Sequence, residues 1–86
     1  MTAFERRAVV VAPGEARPFD AAEWRDALVT VEHGAIEAQP ADGGAPVRFV
    51  GGDVLTLDGR DLRALRNPGT GEAALVVVRR VGGDER

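Results

Sequence analysis

A chain of 86 residues with a net charge of −3 can build only one modest core, because folding at this size buries about 60 to 65 % of the unfolded surface. Its balance of 44 % hydrophobic and 29 % charged residues fits a globular chain, and its longest apolar runs, AVVVA and AALVVV, are far too short to cross a bilayer. The sequence has no cysteine, lysine, serine or tyrosine, which excludes disulfides, thiolate metal sites, Schiff-base lysines and serine or cysteine triads.

All eleven basic residues are arginine, and they alternate with acids in FERR, EWRD and DGRDLR. Such mixing leaves no basic footprint for nucleic acid, and 5 % aromatic residues leave few platforms for stacked bases. The apolar run after Arg6 and Arg7 is shorter than a signal-peptide core, so the sequence predicts a soluble, cytoplasmic protein.

In chain order, RRAVVVA (6–12) reads as a first strand, ended by PGEARP, whose two prolines cannot donate to a ladder. FDAAEWRDA then reads either as a helical turn capped by Asp20 or as a short irregular strand, the extended form being preferred. Trp24 within it is expected to pack into the core. Residues 28–32 and 35–39 flank His33 and Gly34, as in a hairpin whose glycine takes the positive φ of a tight turn. PADGGAP is a loop by composition. VRFV, DVLTLD, DLRALR and AALVVVRRV follow as four short strands, separated by GG, GR and NPGTG. Gly51, Gly52 and Asp53 read as a turn, since no helix follows them to hold a phosphate. Some seven short strands with almost no helical periodicity predict an all-β sandwich or barrel over 3–82, with 83–86 as a frayed tail.

The stretch from Gly52 to Asn67 resembles the second motif of the cupins, which runs Gly, five residues, Pro, one residue, Gly, two residues, His, three residues, Asn. Counted from Gly52, the proline place is Asp58, the second glycine place is Arg60 with Gly59 beside it, the histidine place is Arg63 and the asparagine place is Asn67. LVTVEHGAIEA is similar to the end of the first cupin motif, with Gly34 as its turn glycine. The resemblance spans roughly residues 20 to 80 and implies a small β-barrel of the jelly-roll type. Typical cupins bind a metal through two histidines and a glutamate in the first motif and a histidine in the second. Here the glutamate place is Ala27, the first two histidine places fall within Asp20 to Glu23, and the last is Arg63. A guanidinium has no lone pair for a metal. The resemblance therefore implies a chain with neither metal nor other cofactor, and its one histidine, His33, is expected to face solvent.

If LRALRN is a strand, Arg63, Leu65 and Asn67 share one face, and the cupin alignment turns that face toward the lumen. A buried guanidinium needs a partner. By alignment Glu23 is nearest, with Asp20, Glu32 and Asp58 behind it, and an anionic ligand is the alternative partner. Arg63, Glu23, Asn67 and Asp58 are thus the candidate ligand-binding residues, and no catalytic constellation accompanies them. The expected function is a metal-free, cupin-like binding or interaction module, taking a small anionic or polar ligand through Arg63. The competing readings are a cupin-type isomerase, epimerase or dioxygenase with carboxylates in place of histidines, and a purely structural homodimeric subunit. A homodimer is expected because AVVVA carries few charges to discourage strand pairing. Lumen polarity separates the readings: arginine and carboxylates favour a ligand, packed Leu and Val a structural role.

Overall fold

A computed structural model describes residues 3–81; the expected domain end at 82 and tail at 83–86 lie outside them. The described chain is all-β apart from one helical turn. Its strands are β1 (Ala3–Val11), β2 (Ala16–Pro18), β3 (Ala27–His33), β4 (Ala35–Pro40), β5 (Val47–Val50), β6 (Val54–Leu55), β7 (Leu62–Arg66) and β8 (Ala73–Val81), with α1 (Ala21–Trp24) between β2 and β3. They form two antiparallel sheets, ordered β1-β8-β3-β6 and β2-β7-β4-β5. Among the described residues each sheet keeps two open edges, so the layers face each other as a sandwich and do not close into a barrel.

Pairing follows one pattern. Strand β1 pairs with β8, β2 with β7, β3 with β6 and β4 with β5, as in one long hairpin; β8 meets β3 and β7 meets β4 when that hairpin winds up. Valine-rich alternation gives each sheet one apolar inner face. Val9, Val11, Val29, Val31, Leu75 and Val77 of the first sheet meet Ile36, Ala38 and Leu65 of the second, while Trp24 and Leu57 enter from the connections. Each fully buried Val or Leu contributes about 1.5 to 3 kcal/mol of transfer free energy, which is what holds so small a chain folded.

Three local expectations change. Residues 16–18 form an edge strand instead of a turn: Pro18 is its last residue, on the sheet edge where a missing N–H breaks no ladder. The stretch after it is helical and not extended, because the Asp20 carboxylate accepts the Ala22 N–H at 3.0 Å and caps α1. The segments around Gly34 are not a hairpin: β3 lies in the first sheet and β4 in the second, so Gly34 is the corner where the chain changes layers. Its φ of +84° is the positive value expected. A Cβ there would lie 2.8 Å from Ala73 Cα and 2.9 Å from the Glu72 carbonyl oxygen, so glycine is demanded by space as well as by φ.

Gly43 has a similar φ of +82° but open space around it. Gly43→Ala should therefore lose only the backbone strain, about 1 kcal/mol, whereas Gly34→Ala should lose about 3 kcal/mol or more in urea unfolding followed by Trp24 emission.

Candidate functional site

The four candidate residues do not converge. Strand β7 pairs regularly with β4 as far as Ala64 opposite Gln39; Leu62 then stands opposite Pro40, leaving Arg63 as an extra residue in a bulge. The bulge breaks the alternation by one place. Leu62 packs on the core, and Arg63, expected in the lumen, is exposed. The main chain of Arg63 is still used, its carbonyl accepting the Phe19 N–H at 3.0 Å.

Glu23 is ion-paired, but with other arginines. Arg7 of β1 donates to its carboxylate at 3.0 Å, and Arg17 of β2 donates to the same oxygen. Arg7 shares the parity of the buried Val9 and Val11, so it points between the layers, and its guanidinium stacks 5.6 Å above the centre of the Trp24 ring. One carboxylate thus ties an edge of the first sheet to an edge of the second. The same parity in RRAVVV was a signal for Arg7; Arg17 lay in a stretch that reads as a turn. Trp24 is buried as expected, 1 % exposed, and its indole N–H and the Arg17 Nε–H have no partner among the described residues.

Asn67 is buried, also at 1 % exposure. Its Nδ2 donates to the Val11 carbonyl at 2.9 Å and to the Gly71 carbonyl at 2.8 Å, and its Oδ1 accepts the Gly69 N–H at 2.9 Å. Both side-chain donors are therefore committed to backbone, leaving none for a ligand. Asp58 is exposed, and its two oxygens accept the Asp26 N–H at 3.1 and 2.9 Å. That contact holds Asp26 at φ +57°, the only positive value of a residue other than glycine among the described residues.

Away from Asn67 and the Arg7–Glu23–Arg17 cluster, the space between the layers is apolar. Val29, Val31, Ile36, Phe49, Leu55, Leu57, Leu65 and Leu75 line a cavity of about 10 Å³, room for the centre of one water-sized sphere. Its lining offers such a molecule no hydrogen bond. The residues at the cupin ligand places do not suit a metal: Ala27 has no donor, Glu23 is held by two arginines and Arg63 faces away. Among the described residues no group of three or more His, Asp or Glu side chains is placed to hold a metal ion. His33 is exposed. Gly51 to Asp53 form the expected turn, closed by the Val50 N–H on the Asp53 carboxylate at 2.8 Å. No helix among the described residues is long and apolar enough to cross a membrane.

These placements rank the candidates by substitution. Arg63→Ala should change the unfolding free energy by less than about 0.5 kcal/mol. Glu23→Ala should cost about 1 to 2 kcal/mol, a value moderated by the partial exposure of the ion pairs. Asn67→Asp should cost about 3 kcal/mol, because the buried Val11 carbonyl and the partly buried Gly71 carbonyl lose their donor and face a carboxylate. Thermal and urea unfolding monitored at Trp24 give all three values. Compared with known proteins, the chain matches no protein-family model, and neither a curated protein nor a solved structure matches it.

Proposed function

We propose that the protein is a cupin-like jelly roll that works as an interaction module and not as an enzyme. The strand pairs 1 with 8, 2 with 7, 3 with 6 and 4 with 5 support the jelly-roll reading, since two Greek keys wound from one long hairpin produce that order. The observation that carries the functional reading is the cavity lined only by apolar side chains. A polar or anionic ligand there would give up its hydrogen bonds to water and receive none. With the interior closed to such ligands, recognition falls to the outer surface, and the protein's chemistry is that of a docking partner, starting with another copy of itself.

A second reading keeps a small anion, at a different place from the one expected. Two guanidiniums share one carboxylate at Arg7, Arg17 and Glu23, and the Arg17 Nε–H has no partner among the described residues. Phosphate or a small carboxylate could add to that excess of positive charge.

Thermal unfolding at constant ionic strength separates the two readings. Sulfate, phosphate and acetate up to about 10 mM should move the melting temperature by less than about 1 °C. A larger, saturating rise in the wild type that disappears in Arg17→Ala would replace the first reading with the second. Elemental analysis after dialysis should find far less than one equivalent of iron, zinc, nickel or manganese per chain, and a full equivalent would overturn the metal-free reading.

A further inference from the structure

The outward face of the first sheet is unusually apolar. Phe4, Val10, Leu28 and Val54 are 69, 53, 49 and 58 % exposed on it. The registers set these residues in rows across the sheet. Phe4 stands opposite Arg80; Arg6 stands opposite Val78, which is opposite Leu28; and Ala8, Val76, Thr30 and Val54 form one continuous row over all four strands. The second sheet differs, for on its outer side Glu37 and Arg66 stand opposite each other as an ion pair of 3.5 Å.

Charge on the first face is divided across its strands. The cations Arg6 and Arg80 belong to β1 and β8, while the acids Asp26 and Asp58 lie at the start of β3 and just beyond β6. Arg80, Asp26 and Asp58 border the same shallow groove with Phe4 and Leu28, yet among the described residues of one chain no ion pair joins Arg80 to either acid.

We propose that this face binds a second copy of the chain, about a two-fold axis that runs parallel to the strands between β8 and β3. The proposal rests on the interaction-module reading and names its partner. Such an axis lays β8 over the partner's β3 and β1 over the partner's β6 while keeping each row at its own height. Arg80 then meets the partner's Asp26, Phe4 faces the connection after the partner's β6 that carries Asp58, with Arg6 one row away, and Ala8 packs on the partner's Val54. An axis across the strands would set β8 on the partner's β8 and bring Arg80 over the partner's Ala74, leaving the charges without counterparts. The charge pattern therefore selects one orientation. The outward positions, twelve over the four strands because β6 supplies only Val54, occupy about 4.8 by 6.8 Å each and cover roughly 400 Å² of flat face. Two copies would bury about 800 Å², the size of a weak, transient interface, so orientation rests on the charge pairing and the dimer is sought at high micromolar concentration.

A charge swap tests the axis. Sedimentation from about 10 to 300 µM should show wild-type chains approaching twice the mass of 9.1 kDa. Arg80→Glu sets a carboxylate against the partner's Asp26, and Asp26→Arg sets a guanidinium against the partner's Arg80; each variant alone should dimerise at least tenfold more weakly. An equal mixture of the two should recover dimers, since both contacts then join opposite charges. Val54→Arg, at an exposed position, should also weaken the dimer at least tenfold with Trp24 emission unchanged, which keeps the test valid if Asp26→Arg disturbs its own turn. A wild-type monomer throughout the range would overturn the second copy as partner. A dimer that withstands Val54→Arg and both charge reversals would overturn this face alone and leave the interaction reading standing. Saturable anion binding in thermal unfolding would instead count against the reading on which the proposal rests.

Discussion

One buried amide fastens the two layers. Asn67, the residue after β7 of the second sheet, donates to the Val11 carbonyl at the end of β1 in the first and to the Gly71 carbonyl within the turn toward β8. Its main chain joins the same knot, the N–H reaching the Glu15 carbonyl at 2.9 Å and the carbonyl accepting the Gly14 N–H at 3.0 Å. Apolar burial brings two sheets together without direction, and many offsets between them would bury similar area. Hydrogen bonds away from water are directional, and leaving any of them unmade costs a desolvated polar group, so they select one offset.

The Arg7–Glu23–Arg17 cluster joins the layers by charge. Arg7 comes from β1 and Arg17 from β2, the edge strands of different sheets, and Glu23 comes from the helical turn that follows β2. Because the arginine stems run inward and Trp24 lies under Arg7, the cluster also closes one flank of the core. The charged groups at that flank are thereby engaged with each other, and the rest of the space between the sheets is filled by Val, Leu, Ile and Phe. A small sandwich filled in this way has its remaining chemical variety on the outside.

That outside is asymmetric. The second sheet shows solvent an ion pair between Glu37 and Arg66, as antiparallel sheets with one wet face do. The first sheet shows Val10, Leu28 and Val54 instead. Exposed apolar residues scattered singly need no explanation, but here Phe4, Leu28, Val54 and Val10 fall on four successive rows of one face, which concentrates them in one place.

The all-β class and most strand positions were legible along the chain, because valine alternation and the breaks at GG, GR and NPGTG are local signals that survive without tertiary context. Strand parity together with the cupin resemblance set Asn67 on the inner face, where it is buried; the resemblance also set Glu23 beside Arg63, whereas Glu23 pairs with Arg7 and Arg17. Which arginine Glu23 takes depended on the folded chain. The one-residue bulge at Arg63 follows from how β7 registers against β4, and a period-two pattern read along one strand carries no information about its neighbour. The layer change at Gly34 was likewise invisible, since a glycine with positive φ serves a hairpin and a corner equally well. Arg7 and Arg17 meet at Glu23 because the chain winds β1 and β2 into different sheets and returns α1 between them, a consequence of long-range pairing that no local spacing encodes.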